Sequence, residues 1–448
     1  MKINLLLILF FFSTHISNSQ VNWQYLGSKQ FSPNYATESS LAVDKNGTIY
    51  VAFQDWGATE KSMVMKYNGS TWVKVGGYIS DGAGSQNFIA FNSNNVPYIV
   101  YLDQIDYRKV HVKKFDGSNW INVGNGILTT YGGYGSTDIA IDSKDNVYVV
   151  FGGSAKAATV KKFDGNNWST VGVEDFSNNS AGSLKLRISS KDTLFASFQH
   201  DSWKASVMKF NGTGWDFLGN KEFSDDMASY ISLALDKNDV PYISFKDASE
   251  GGKATVMKFN GSNWSAVGSK GFSAGGAPFT TIGFDKNNTP FVAFQDNNKS
   301  SKASVMTFDG SAWKNWGTEG FSYNSALYLD MKIVNSTIYL GFTEGPMNIP
   351  SASVMTANIS STSIYENLFQ SDSKKINICK NLASNAVEIR CAFELEGKEY
   401  KIYNSLGSIV QTGTVTTSIA FSEGNQLNGY YIFQVLDTYK QYSKRFIY

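Results

Sequence analysis

The amino-acid sequence predicts an all-β protein: a seven-bladed β-propeller closed by its own N-terminal strand, followed by a small β-sandwich domain. Three observations predict it. A tryptophan recurs with a period in the forties, an Asn-Gly or Asp-Gly turn often precedes it, and the runs between turns are rich in Val, Ile, Tyr and Phe without helical periodicity.

The period comes first. Trp23 opens WQYLG, Trp72 WVKVG, Trp120 WINVG, Trp168 WSTVG, Trp215 WDFLG, Trp264 WSAVG and Trp313 WKNWG, at spacings of 49, 48, 48, 47, 49 and 49 residues. Spacing this regular marks a repeat architecture. Within each period the order of parts is constant. A loop that often carries Phe-Ser (Phe31-Ser32, Phe176-Ser177, Phe223-Ser224, Phe272-Ser273, Phe321-Ser322) leads into a short apolar run such as SLAVD or SLALD. A polar turn follows at Asp44, Asp142, Asp236 or Asp285, then a β-rich run: TIYVAF, VPYIVY, NVYVVF, VPYISF, TPFVAF or TIYLGF. After a variable loop comes KASVMKF or a near copy, then an Asn-Gly or Asp-Gly hairpin turn, whose residues tolerate positive φ, and then the tryptophan. Four antiparallel strands per unit of this length make a propeller blade.

Six units run from one tryptophan to the next. A seventh leaves Trp313 through LYLDMKIV, TIYLGF and SASVMTANI and has no tryptophan strand of its own. WQYLG at Trp23 supplies it, which closes the ring and leaves no open blade edge. The tryptophans are expected to sit between blades. The glycines four residues past them (Gly76, Gly124, Gly219, Gly268) are expected to release the chain toward the next blade.

Charged residues are 17% of the chain, aromatic residues 15%, and the formal net charge is +1. That balance argues against a nucleic-acid binder or a polybasic membrane binder, which needs a basic stripe. The first residues read as a secretory signal peptide over 1–19: Lys2, an apolar Leu5–Phe12, and small Ser17 and Ser19 before Gln20. No later stretch has the length and hydropathy of a transmembrane helix. The only cysteines, Cys379 and Cys391, leave a disulfide open after export, subject to geometry.

Variable loops on a rigid scaffold are the place to look for binding. The loops between second and third strands carry a recurrent acid, at Asp55, Asp103, Asp247, Asp296 and Glu344. These acids either face a ligand or cap their own turns by accepting backbone N–H bonds. The residues that break the repeat are Trp56, Tyr107, Arg108, His200 and Trp203, with Tyr131 and Tyr134 in TTYGGYGS. Aromatic faces beside polar groups suit sugar or peptide binding.

Much chemistry is argued against. His15, His111 and His200 are the only histidines, too few for a Ser-His-Asp or multi-histidine metal site once the leader is removed. Calcium-loop and phosphate-loop patterns are absent, so no metal or other cofactor is implied. Arg108 and Arg187 are the only arginines before the tail, which does not fit the three-arginine grip of sialidases. Carboxylates for glycoside hydrolysis are plentiful, but no pair stands out.

The repeat ends after Ile359. Residues 360–374 read as a polar linker, and 375–448 as short strands with glycine turns, a small β-sandwich. YKIYNSLGSIV with Gly407, LNGYYIFQV from Leu427 through Asn428 and Gly429 to Val435, and the terminal KRFIY resemble the type A C-terminal sorting domain of the Bacteroidetes type IX secretion system. Where that family carries a Tyr-Pro-Asn-Pro-like start, this chain has Cys379-Lys380-Asn381-Leu382. The resemblance implies Sec export to the periplasm, the type IX machinery as partner, and release from or attachment to the outer cell surface. The expected function is a non-enzymatic glycan- or protein-binding module. The alternatives are a carbohydrate-active enzyme using carboxylates on the same face, and a purely structural or adhesive surface protein.

Overall fold

The computed structural model describes residues 21–129, 132–153, 156–346, 349–359, 376–381, 386–391, 395–403, 409–416, 418–421, 430–436 and 441–447. The expected signal peptide and linker lie outside the described residues, as do Tyr131, Gly407 and Leu427–Gly429 of the tail motifs. The chain divides into two compact units, one of them Gln20–Ser360. Among the described residues, no helix is long and apolar enough to cross a membrane.

The first unit contains seven four-stranded antiparallel sheets. Blade one is Ala36–Val43, Ile49–Asp55, Lys61–Tyr67 and Trp72–Lys74, from inner to outer edge. Blades two to six repeat that order, with inner strands Gly84–Phe91, Tyr134–Ile141, Gly182–Ile188, Ala228–Leu235 and Thr281–Phe284. Blade seven has Ala326–Val334, Thr337–Glu344 and Ser351–Asn358, and its outer strand is Gln24–Tyr25, with Gln24 opposite Thr356 and Tyr25 opposite Met355. The N-terminal strand therefore closes the ring as the sequence predicts.

The repeated residues do repeated work. Six indoles donate across a blade boundary to the carbonyl just before the glycine of the preceding blade: Trp72 to Leu26, Trp120 to Val75, Trp168 to Val123, Trp215 to Val171, Trp264 to Leu218 and Trp313 to Val267, at 2.6–2.9 Å. The Phe of four Phe-Ser loops stacks on these rings, as in Phe31 on Trp72 at 3.9 Å and Phe223 on Trp264 at 4.4 Å, and Phe321 stacks on Trp23 at 4.1 Å. The serine accepts the N–H at the start of the preceding blade's third strand, as in Ser224 from Ala205 at 3.0 Å and Ser273 from Ala254 at 2.9 Å. Gly76 sits at φ +68, where a Cβ would meet the Phe115 ring at 2.8 Å, so only glycine makes this exit.

The tail forms two antiparallel sheets. One is Ile376–Asn381, Ala386–Cys391 and Ser418–Phe421; the other is Ile409–Thr414, Glu399–Tyr403, Tyr430–Leu436 and Gln441–Ile447. They share a core that includes Ile389, Ile402, Ile419, Phe433 and Val435, which is the arrangement of a small sandwich. Cys391 lies opposite Ile376 while Cys379 lies opposite Glu388. A three-residue offset spans about 10 Å along a strand, beyond disulfide reach, and Cys391 is a free thiol.

Candidate functional site

The recurrent acids turn inward. Asp55, Asp103, Asp247, Asp296 and Glu344 are all buried. Asp55 accepts from Gly57 N at 3.0 Å, Asp103 from Ile105 N at 3.0 Å, and Asp296 from Asn298 N at 2.9 Å and the Ser304 hydroxyl at 2.9 Å. Asp247 accepts from Ser249 and Thr255, and Glu344 from Asn324 and Ser353. These oxygens hold turns and neighbouring strands, because each acid ends a buried strand where the chain must reverse.

The repeat-breaking residues scatter over several blades. Trp56 is partly exposed, stacks on Tyr35 at 5.1 Å and donates to the Thr37 hydroxyl at 2.8 Å. Tyr107 and Arg108 stand exposed on one loop, both at positive φ. Trp203 is exposed on blade four, while His200 is buried, its Nδ1 2.8 Å from Glu222 and its Nε2 3.3 Å from the Ser177 carbonyl. Tyr134 opens the inner strand of blade three, opposite Gly152. Among the described side chains of this set, Trp56 lies on blade one, Tyr107 and Arg108 on blade two, and His200 and Trp203 on blade four.

A site does form where all seven inner strands meet. A cavity of about 470 Å³ is lined by residues of every blade, from Glu38 and Gln86 to Ile333, a volume in the range of small-molecule sites. Near its start each inner strand of blades one to five and seven breaks register in a β-bulge. The residue at the equivalent place is Glu38, Gln86, Ser136, Ser183, Tyr230, Phe279 and Tyr328 in blades one to seven, and all but Ser136 have φ between +51 and +54. A bulge with left-handed backbone re-aims a side chain. Glu, Gln, Tyr and Phe gain nothing from that conformation by themselves, so the surrounding ring imposes it.

The ring has two unlike arcs. Tyr230, Phe279 and Tyr328 form a continuous aromatic arc over blades five to seven, with centroids 4.6 and 5.2 Å apart. Glu38, Gln86, Ser136 and Ser183 form a polar arc over the other four. Glu38 accepts from the backbone N–H of Gln86 and from its side-chain amide at 3.3 Å. Burial raises the Glu38 carboxyl above its ordinary value, with the Gln86 bonds and the nearby Arg108 charge opposing. Arg108 is thus a predicted site residue whose charge acts on this mouth.

One step deeper on the strands the equivalent residues are Ser40, Phe88, Asp138, Lys185, Ser232, Thr281 and Asp330. Four of them accept the N–H of the next blade's inner strand: Asp138 from Leu186 at 3.0 Å, Ser232 from Ile282 at 3.3 Å, Thr281 from Met331 at 3.3 Å and Asp330 from Leu41 at 2.9 Å. The inner edge of a propeller has no further strand, so side chains satisfy it. Arg187 pairs with Asp138 at 2.8 Å, and Lys332 with Asp330 at 2.5 Å. Burial alone would push the Asp330 carboxyl up; Lys332 and the Leu41 N–H more than offset it and hold it below its ordinary value. Among the described residues no His, Cys, Asp and Glu side chains cluster as a metal site.

The ring was reachable from the sequence. Each ring residue of blades one to six lies six positions before the turn residue Asp44, Asn92, Asp142, Ser189, Asp236 or Asp285. Aligning inner strands on that turn puts the ring residues in one varied column, two positions before the equally varied column of Ser40, Phe88 and Asp138 and three before the apolar column of Leu41, Ile89 and Ile139.

No family model matches the chain, and no curated protein does. Among solved structures it is similar to a protein of unknown function from Dyadobacter fermentans, at 10% identity over 76% of this chain and 98% of that one, TM-score 0.44. It is also similar to the Aleuria aurantia lectin in complex with Fucα1-6GlcNAc, at 14% identity over 66% and 99%, TM-score 0.42. A third similar structure is the GH93 α-L-arabinofuranosidase of Fusarium graminearum with arabinobiose, at 12% identity over 75% and 98%, TM-score 0.43. Likeness this distant transfers no residue role to this chain.

Proposed function

We propose that this chain is a glycan-binding β-propeller whose site is the mouth of the central channel. The observation that carries the proposal is the split ring: Tyr230, Phe279 and Tyr328 on one arc, Glu38, Gln86 and the serines on the other. A sugar ring has an apolar C–H face and a rim of hydroxyls. Stacking on the aromatic arc while donating to and accepting from the polar arc satisfies both at once. The ring residues differ from blade to blade although the blades are repeats, so packing does not dictate their identity.

A glycan array with the full chain tests this. Binding of oligosaccharides that falls at least tenfold in Tyr230→Ala and Tyr328→Ala, with unchanged melting, is expected. A blank array, or binding indifferent to both substitutions, overturns it. A second reading, hydrolysis, is favoured by one observation, the half-buried Glu38 at the mouth, whose carboxyl is held above its ordinary value. Reducing ends released by the wild type and not by Glu38→Gln would recast the protein as a glycosidase.

For delivery, we propose export by the type IX route, supported by the tail motifs. Removing 375–448 should strand the chain in the periplasm; normal delivery of the truncated chain to the surface would defeat this.

A further inference from the structure

Inside the channel, two cation–carboxylate pairs are complete, Arg187 with Asp138 and Lys332 with Asp330. Lys185 makes a third cation. It stands on blade four at the position where Asp138, Ser232, Thr281 and Asp330 accept the next blade's N–H on their own blades. A lysine ammonium has no lone pair and cannot do that job. Its Nζ instead reaches across to blade two, 4.2 Å from the centre of the Phe88 ring. No hydrogen bond or ion pair of Nζ is found among the described residues, and Lys185 lines the cavity directly below the ring. The charged groups around it are Asp138 and Arg187 from blades three and four and Asp330 and Lys332 from blade seven, already bound to one another.

A cation held in a protein channel without a counter-ion is costly, and a partner of opposite charge entering the channel relieves that cost. A ring aromatic on one arc above an unpaired ammonium therefore selects for a sugar that carries a negative charge. We propose that the channel binds an anionic saccharide, with the sugar ring at the aromatic arc and its carboxylate or sulfate on Lys185. This rests on the glycan reading of the mouth and specifies its ligand class. Lysine is a compact point charge with no fork geometry, so it does not choose between carboxylate and sulfate; the probes do.

The test is calorimetric titration of the full chain with oligogalacturonate, with sulfated carrageenan oligosaccharide and with neutral cello-oligosaccharide. At least one acidic probe is expected to bind ten times or more tightly than the neutral one, and added salt should weaken that binding. Lys185→Met should remove the preference, bringing the acidic probe down to the neutral level, and Lys185→Arg should restore most of it. Which acidic probe wins tells carboxylate from sulfate. Equal affinity for neutral and acidic probes, or acidic binding unmoved by Lys185→Met, overturns this inference and leaves the glycan reading standing. Absence of binding to any sugar overturns both.

Discussion

Two edges of the same blades obey different rules. At the outer edge, six tryptophans donate to the equivalent carbonyl of the preceding blade, four of them under the stacked phenylalanine of a Phe-Ser loop. At the inner edge, one backbone conformation is kept in six blades while the side chain changes from Glu to Gln, Ser, Tyr and Phe. Uniform side chains on a repeated backbone mean that a packing problem is being solved the same way each time. Varied side chains on a repeated, left-handed backbone mean that the backbone is the scaffold and the side chains answer to something that is not repeated. The outer edge therefore carries stability and the inner edge carries the candidate site.

The comparison can be broken in five ways. The largest effect is expected from deleting residues 20–27, which removes the outer strand of blade seven and opens the ring; the melting temperature should fall by about 5 °C or more by calorimetry, because a domain of this size loses only about 1–2 °C per kcal/mol. An unchanged melt would refute closure as a source of stability. Next, Trp264→Ala should cost about 3–5 kcal/mol in urea unfolding, the range for truncating a buried aromatic, without altering sugar affinity in the folded fraction. A large affinity change there would erase the division between edges. Ser224→Ala should cost about 1–3 kcal/mol, because it strands the buried N–H of Ala205. Tyr230→Ala, at a residue 40% exposed, should leave stability within about 0.5 kcal/mol while abolishing most binding.

The smallest effect concerns pH. Burial holds the Lys185 ammonium below the ordinary lysine range. The folded state therefore binds this proton less tightly than the unfolded chain, and the resulting destabilisation is fully present below the folded pKa. It fades as pH rises through that value toward the ordinary lysine pKa. Lys185→Met should accordingly be at least as stable as the wild type near neutrality, with the gap closing in alkali, measured by urea melts across pH. A Lys185→Met protein clearly less stable than wild type at neutral pH would assign the lysine to packing.

The blades were legible in the sequence because their causes are local. Asn68 and Asp309 accept from the N–H groups two and three residues on in their hairpin turns, and strand, turn and tryptophan follow one another within a few dozen residues. The acidic positions were legible as a pattern, but their burial was not, since whether Asp247 faces water or Ser249 and Thr255 depends on how the strand end is covered. The ring was the hardest to see. Glu38 and Gln86 sit in runs that read as strand packing, and a β-bulge leaves little mark on alternation.

By itself, then, the sequence determined the blade, its count and its closure, because alternation and turn chemistry are local and a regular period with one missing strand can be counted along the chain. Only the tertiary structure decided which residues are functional candidates. Tyr230, Phe279 and Tyr328 are about one repeat apart in the chain and become neighbours only when blades five to seven stand side by side. Lys185 and Phe88 are brought together across the channel. A channel is a property of the closed ring, and no single repeat contains the information that its inner edge will face one.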